Sequence, residues 1–224
     1  MKKRFILVFF VIIFLFFLPT LAQASLGDGT LRLGSKGPDV VELQTKLNYV
    51  GFKVGKTDGI FGSLTKQSVI NFQITYNLVG DGIVGPLTVK ALNTAYLLKQ
   101  QLKKVDSIIA TAKQYLGVKY QWGGSTPQTG FDCSGYVSYV FAQNGISLPR
   151  ISTDQYMVGT KVAFDDLQRG DLVFFSFDGS GIVSHVGIYL GDGQFINASS
   201  SKGVTIYGIG PYWKSMYVGA RRVL

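Results

Sequence analysis

Hydrophobic positions follow two different periods along this chain of 224 residues. Between residues 38 and 95, apolar side chains recur every three or four residues, which is typical of helices that bury one face. After Gly117 the pattern changes to short apolar runs separated by glycine-rich turns, which indicates strands. The chain therefore predicts a small helical domain followed by a domain that combines one helix with an antiparallel sheet, an α+β fold.

Three short helices are expected in the first segment. Pro38 marks the start of the first helix, and Gly51 marks its end. The other two helices each follow a copy of an Asp-Gly-Ile-x-Gly turn, at residues 58–62 and 81–85, a spacing of 23 residues. This weak internal repeat predicts two similar turn-and-helix units.

The residues at the two turns suggest how each helix begins. Ser63 is expected to cap the second helix, and Pro86 fits the first position of the third. Asp58 and Asp81 are interpreted as turn-forming residues, because Asp side chains bond to nearby backbone in turns. This segment contains neither His nor Cys, so we expect no catalytic group in it.

A helical linker is expected between the two segments. Residues 96–106 are rich in Leu, Lys and Gln and contain no turn residues. Ser107 is expected to cap a further helix, from Ile108 to Leu116, which ends at Gly117.

Four strands are predicted in the second segment: Asp171–Phe175, Val183–Leu190, Gln194–Ala198 and Tyr217–Val223. Gly191-Asp192-Gly193 is expected to join the middle two as a three-residue hairpin loop. That loop places His185 opposite Ser199 and makes Asn197 its diagonal neighbour on the same face. Diagonal neighbours lie roughly 7–8 Å apart at their Cα atoms, within side-chain reach.

The N-terminus predicts a secretory signal peptide over residues 1–24. A basic start at residues 1–4 precedes an apolar run of 14 residues, Phe5 to Leu18, and Ala22-Gln23-Ala24 is a small-x-small cleavage site. The run is short for a membrane span, which needs about 20 residues. Cleavage near Ala24 is the main interpretation, and an uncleaved anchor is the alternative.

The chain is basic, with a formal charge of +9, and removing Lys2, Lys3 and Arg4 leaves +6. A basic surface concentrates near anionic polymers outside the cell, although ordinary solubility explains this charge equally well. No dense stripe of Lys and Arg interleaved with aromatic residues is present, so nucleic acid is not an expected partner.

Cys133 and His185 are the only residues of their types in the chain. Cys133 precedes a helical pattern, and a helix start favours negative charge, so we expect a lowered pKa for its thiol. A thiolate nucleophile with an imidazole base fits this pair, and Asn197 can accept the second imidazole N–H. A buried, inert thiol and a structural histidine are the alternatives.

No cofactor or metal is expected, because one His and one Cys cannot build a typical zinc site. No heptad pattern suggests assembly, so we expect a monomer.

The first segment resembles the type-1 peptidoglycan-binding domain. The resemblance covers about 60 residues and rests on Leu31-Arg32-Leu33-Gly34, on Gly37-Pro38-Asp39-Val40-Val41-Glu42-Leu43-Gln44 and on the two Asp-Gly-Ile-x-Gly copies. It implies a three-helix module that binds the bacterial wall, with a spacer that no longer binds as the alternative.

The second segment resembles the NlpC/P60 peptidases from about residue 104 onwards. The resemblance rests on several motifs in order: Tyr120-Gln121-Trp122-Gly123-Gly124, Gly130-Phe131-Asp132-Cys133-Ser134-Gly135, Leu148-Pro149-Arg150, Gly170-Asp171-Leu172-Val173-Phe174-Phe175, His185-Val186-Gly187-Ile188-Tyr189 and Phe195-Ile196-Asn197-Ala198. It implies a papain-like α+β fold and cleavage of wall stem peptides, typically at the γ-D-glutamyl–diamino-acid bond.

The resemblance also implies roles for individual residues. Cys133 would be the nucleophile and His185 the base. Tyr120 would lie near the nucleophile, and Asp132 and Ser134 would contact the stem peptide. The third polar position of the family is most often His, and this chain has Asn197 there instead.

The expected organisation is a signal peptide (1–24), a peptidoglycan-binding domain (25–95), a linker helix (96–106) and a catalytic domain (107–224). The expected protein is secreted and associated with the cell wall, and after signal cleavage it has no membrane partner. Two alternatives stay open. One is a related thiol amidase or acyltransferase on the same fold, and the other is a wall-binding protein without catalysis.

Overall fold

The computed structural model describes residues 29–224, so the predicted signal peptide lies outside the described residues. The chain divides into two compact units, the first ending at Leu92 and the second beginning at Asn93. Within residues 29–224, no helix is both long and apolar enough to cross a membrane.

The three predicted helices of the first segment are present: α1 is Pro38–Val50, α2 is Ser63–Thr75 and α3 is Pro86–Gln114. Helix α1 ends at Gly51, whose positive φ of 113° is easily adopted by glycine. The prediction that Ser63 caps α2 is wrong. Gly62 occupies the capping position and Ser63 is the first helical residue, so no side chain caps this helix.

Helix α3 is one continuous helix of 29 residues rather than three pieces. It includes the expected third helix, the linker at residues 96–106 and most of the helix expected from Ile108. Ser107 therefore lies in the helix interior, and the prediction that it caps a new helix is wrong. Its hydroxyl donates to Asn144 Oδ1 at 2.6 Å, so the side chain links α3 to Asn144.

A buried glutamine holds the first Asp-Gly-Ile turn in place. Gln44 Nε2 donates to Asp58 Oδ1 at 3.0 Å, to the Ile60 carbonyl at 3.1 Å and to Thr65 Oγ1 at 3.2 Å. Its Oε1 accepts from the Gly59 N–H at 2.9 Å. One carboxamide thus satisfies four polar groups of the turn and of the following helix.

The second turn repeats this arrangement around Gln73. Its Nε2 donates to Asp81, to the Ile83 carbonyl and to Thr88, and its Oε1 accepts from the Gly82 N–H. These bonds, with those of the Ile60 and Ile83 N–H groups, lower the pKa of both turn carboxylates. Both acids therefore form turns, as the sequence predicts.

The strands of the second unit are β1 (Ser125–Thr126), β2 (Gly130–Phe131), β3 (Thr160–Val162), β4 (Leu172–Phe175), β5 (His185–Gly191), β6 (Gln194–Ser199), β7 (Gly203–Gly208) and β8 (Tyr217–Arg222). Six of them form an antiparallel sheet in the order β3-β8-β4-β5-β6-β7, and β1 and β2 form a separate two-stranded sheet. The remaining helices are α4 (Cys133–Gln143), α5 (Ser152–Gln155) and α6 (Pro211–Ser215). The expected α+β architecture is confirmed, and β1, β2, β3 and β7 were not predicted.

The large sheet buries both of its faces. Along β4, Leu172 and Phe174 belong to one core together with residues of α3 and α4. Val173 and Phe175 belong to a second core that also contains Phe195. Because successive side chains of a strand point to opposite faces, this alternation fixes the orientation of β4.

The hairpin between β5 and β6 is tighter than predicted. Gly191 pairs with Gln194, so the turn has two residues instead of three, and the register shifts between Tyr189 and Gly191. Ile188 pairs with Ile196 beyond that bulge. The bulge supplies the residue that the shorter turn removes, so the predicted register of the two strands is retained.

Replacing Gln44 with Met is expected to destabilise the first unit by about 2–4 kcal/mol. The change keeps the side-chain length but leaves the buried Gly59 N–H without a partner, at about 1–3 kcal/mol. It also removes one hydrogen bond, worth about 1 kcal/mol, from the Ile60 carbonyl, which keeps its bond from the Gly62 N–H. Hydrogen exchange of peptides from residues 36–92 measures the effect. Gln67→Met is the matched control, because Gln67 is exposed on α2. Equal exchange in the two variants would contradict the role of Gln44 in holding the first turn.

Candidate active site

The second unit contains a cavity of about 810 Å³ lined by five of the six predicted site residues. Cys133 and Ser134 contribute from the start of α4, Asp132 from the residue before it, His185 from the start of β5 and Tyr120 from the segment before β1. The sixth residue, Asn197, is fully buried on β6. The structure thus brings together residues that are up to 77 positions apart in the sequence (197 minus 120).

Helix α4 begins at Cys133, as the sequence predicts. Asp132 is its N-cap, and Oδ1 of Asp132 accepts from the Gly135 N–H at 2.7 Å. A side chain at Gly135 would overlap the Gly124 carbonyl. Backbone packing, rather than the approach of a substrate, is thus sufficient reason for glycine at this position.

The Cys133 thiol is mostly buried, and this burial dominates its titration. Burial raises the pKa of the thiol, and the Asp132 carboxylate raises it further. Backbone N–H groups, including those of Ser134 and Val186, act in the opposite direction. The expectation of a lowered pKa is therefore wrong, because desolvation outweighs the helix start.

His185 is held by a buried hydrogen bond. Its Nε2 lies 3.0 Å from Asn197 Oδ1. The Asn197 Nδ2 donates to the Thr205 carbonyl at 3.4 Å, which directs the amide oxygen towards the ring. Because an amide oxygen can only accept, the imidazole carries its proton on Nε2 and keeps the Nδ1 lone pair free. The predicted diagonal pair is thus in contact.

Aromatic side chains surround the imidazole. Trp213 stacks on His185 with ring centroids 5.6 Å apart, and Phe177 lies 5.1 Å away. Burial lowers the pKa of His185 to about 4, although the bond to Asn197 opposes this shift. The imidazole is therefore neutral at pH 7. Trp213 was not predicted, because α6 has no sequence feature that connects it to the histidine.

Tyr120 lies in the cavity wall, and its backbone forms a parallel β-bridge with Phe131. Burial raises the pKa of its hydroxyl, and the nearby Cys133 and Asp132 raise it further. The phenol is therefore protonated at neutral pH and can donate a hydrogen bond.

Arg150 is a cavity residue to which the sequence assigned no role. Its guanidinium binds both oxygens of Asp132, and it also donates to Ser134 Oγ. The two residues expected to contact substrate therefore have their side chains engaged with Arg150. The Leu148-Pro149-Arg150 motif was the available signal. Within residues 29–224, no three His, Cys, Asp or Glu side chains gather as a metal site requires.

Comparison with known proteins identifies the family of the second unit. Residues 117–222 match the model of the NlpC/P60 family. The C-terminal part of the chain belongs to the NlpC/P60 family. Residues 36–92 match the family described as "Putative peptidoglycan binding domain", which agrees with the resemblance of the first segment.

Among similar curated proteins, the "Gamma-DL-glutamyl hydrolase" of Bacillus subtilis is 42% identical over 135 residues, which are 57% of this chain and 33% of that protein. The "Probable endopeptidase p60" of Listeria seeligeri is 55% identical over 118 residues, 52% of this chain and 22% of that protein. The chain thus spans a third or less of the length of these relatives.

A crystal structure of an NlpC/P60 family protein from Bacillus cereus is also similar. It is 41% identical, with a TM-score of 0.51, and the match covers 54% of this chain and 40% of that one. The similarity agrees with the NlpC/P60 assignment of the second unit.

The buried histidine predicts how the stability of the second unit depends on pH. The imidazole pKa is about 4 in the folded chain, against an ordinary value of 6.5. Between these values the unfolded state binds more protons, so the free energy of unfolding rises with pH. Above pH 6.5 both states are neutral and this contribution ends. The expected gain across the window is on the order of 3 kcal/mol.

Urea unfolding followed by tryptophan fluorescence measures this gain, because both tryptophans, Trp122 and Trp213, lie in the second unit. His185→Gln is the matched variant, since its amide can still donate to Asn197 but does not titrate. In this variant, the slope of the unfolding free energy against pH should fall by the equivalent of about one bound proton between pH 4 and 6.5. An unchanged slope would show that His185 is not the buried group responsible.

Proposed function

We propose that this protein is a cysteine peptidase that hydrolyses peptidoglycan stem peptides. The observation that carries the proposal is one thiol and one imidazole lining a single cavity, with a buried amide bonded to the imidazole. A nucleophile, a base and a group that orients the base are the parts that covalent acyl transfer requires. The similarity to proteins named as endopeptidases and as a γ-DL-glutamyl hydrolase supports the substrate class.

The resting site is a neutral thiol beside a neutral imidazole, given the raised pKa of Cys133 and the lowered pKa of His185. His185 therefore acts as a general base at the moment of attack, rather than as half of a preformed ion pair. Its Nδ1 takes the thiol proton while Nε2 stays bonded to Asn197. The imidazolium that forms is stabilised because Asn197 Oδ1 accepts from it.

The thiolate adds to the scissile carbonyl, and the amide bond then breaks to give a thioester of Cys133. His185 returns its proton to the leaving amine, which departs as a neutral group. A water molecule, deprotonated by the same imidazole, hydrolyses the thioester and regenerates the thiol. Backbone N–H groups at the start of α4 and the protonated Tyr120 hydroxyl are the donors proposed for the oxyanion.

Asp132 and Ser134 are proposed to contact the stem peptide mainly through their backbone, because their side chains are bonded to Arg150 and to α4. The bond proposed for cleavage is the γ-D-glutamyl–diamino-acid bond. The protein is proposed to be secreted through its N-terminal signal and to act as a monomer at the cell wall. The first unit is proposed to bind the wall and to hold the second unit near its substrate.

Cys133→Ala is expected to reduce the release of muropeptides from purified sacculi by about a thousandfold or more, because the nucleophile is lost. Liquid chromatography of the soluble fragments measures the release, and thermal unfolding of the variant provides the control for folding. Equal release by the wild-type protein and the variant would contradict the enzyme proposal and favour a wall-binding protein. Mass spectrometry of the fragments identifies the bond, and masses that retain the γ-D-glutamyl linkage would favour the related amidase or acyltransferase.

The wall-binding role of the first unit can be tested without cutting the continuous helix α3. Gln44→Met combined with Gln73→Met should disrupt both turns of the first unit. In a Cys133→Ala background, this pair is expected to lower co-sedimentation with sacculi at least tenfold. In the active background, hydrolysis of a soluble stem peptide should be unchanged. Undiminished sedimentation of a variant whose first unit exchanges hydrogen freely would contradict the targeting role.

A further inference from the structure

The Arg150 guanidinium is bonded to several parts of the nucleophile's surroundings at once. Its Nη1 donates to Asp132 Oδ1 at 2.9 Å and to Ser134 Oγ at 3.1 Å. Its Nη2 donates to Asp132 Oδ2 at 2.6 Å and to the Gly124 carbonyl at 3.3 Å. The guanidinium therefore binds both oxygens of the carboxylate next to Cys133, and it links the start of α4 to the Gly124 turn.

We propose that Arg150 is a positioning residue for the nucleophile, which offsets the negative charge of Asp132 and fixes this carboxylate as the cap of helix α4. The inference builds on the proposed role of Cys133. Its test follows the thiol itself, however, so the result does not depend on whether wall peptides are cleaved.

The reason for such a residue is the location of Asp132. Its side chain is only 13% exposed and belongs to the residue directly before the thiol. A thiolate that forms beside an unpaired carboxylate is repelled by it, and the repulsion is strong where water is largely excluded. A guanidinium offsets part of this repulsion, because it stays protonated and binds both carboxylate oxygens in parallel.

The other titratable groups around the thiol do not supply this charge. His185 from β5 is neutral at pH 7, with its pKa lowered to about 4. Tyr120, in the cavity wall, has a raised pKa and is also neutral. Among the residues that line the cavity, Asp132 and Arg150 are the ones with a fixed charge. Their balance therefore decides the net charge that Cys133 meets when it ionises.

A second contact between the Arg150 segment and helix α4 supports the positioning role. Gln155 Nε2, on α5, donates to the Ser134 carbonyl at 3.1 Å and to the Pro149 carbonyl at 2.8 Å. The chain before and within α5 is thus bound to the first turn of α4 by a neutral bond as well as by the ion pair. The backbone next to Arg150 is therefore held in place, which favours a fixed guanidinium over a mobile surface charge.

The chain has a single cysteine, so alkylation by the neutral reagent iodoacetamide titrates Cys133 alone in the full-length protein. Replacing Arg150 with Met removes the charge and keeps much of the side-chain volume. The expected result is a rise of about one unit in the pH midpoint of alkylation. At a fixed pH below the midpoint, this rise means a roughly tenfold slower reaction, because the thiolate is the reactive form. Arg150→Lys should recover part of the loss, since it restores the charge without the bidentate geometry.

The decisive variant combines Arg150→Met with Asp132→Asn. Asparagine is an equally good helix cap, so this pair removes both charges while the cap is retained. If Arg150 acts by offsetting the charge of Asp132, the double variant should titrate close to the wild-type protein. If Arg150 only supports the fold, the double variant should be no better than Arg150→Met.

Two results would overturn the inference. One is an alkylation midpoint in folded Arg150→Met that equals the wild-type value. The other is a double variant that fails to move back towards the wild-type value. If Arg150→Met does not fold by circular dichroism, Asp132→Asn alone decides. With Arg150 then unopposed, the midpoint should fall, and an unchanged or higher midpoint would contradict the proposal.

Discussion

The hydrogen bonding of the Asp132 carboxylate is the interaction on which the rest of the site depends. It accepts from the Gly123 and Gly135 N–H groups, from the Ser134 hydroxyl and from both Nη atoms of Arg150. A carboxylate that is largely shielded from water is costly unless such donors surround it. Three separate stretches of chain therefore meet where helix α4 begins at Cys133.

The second constraint is the pairing of β5 with β6, which decides whether His185 meets Asn197. A slip by one residue would turn every side chain of one strand to the opposite face. Glycine at position 187 reinforces the correct pairing, because any side chain there would clash with Phe195 and approach the Cβ of Asn197 to 3.2 Å. The imidazole is thus oriented by strand register and packing together.

Local sequence patterns were sufficient for several elements, although they misplaced the cap of α2. Residues close in the chain predict the start of α1 at Pro38, the start of α4 at Cys133 and the pairing of β5 with β6. The same kind of reasoning failed where a long-range contact decides the outcome. Ser107 bonds to Asn144 across the unit instead of capping a helix, and the burial of Cys133 reverses the pKa shift expected from its helix start.

The residues that sequence reasoning missed are the ones whose partners lie far away in the chain. Arg150 is 18 positions from Asp132, and Trp213 is 28 positions from His185, with no periodicity that connects either pair. Gln44 is a polar residue on the buried face of α1, and the helical pattern shows no partner for its carboxamide. Its burial is explained only by the turn that it holds. Motif order therefore identifies the nucleophile and the base, whereas their electrostatic environment requires the structure.

Buried carboxamides connect separate segments in both units, with Gln44 and Gln73 in the first and Asn144, Gln155 and Asn197 in the second. A neutral amide can both donate and accept, so it satisfies backbone groups without the desolvation cost of a charge. Asparagine at position 197 follows the same principle. It orients His185 without adding a charge, so burial dominates and the imidazole stays neutral until it takes the thiol proton. An ionised partner in that position would instead favour the imidazolium, and the site would rest as an ion pair.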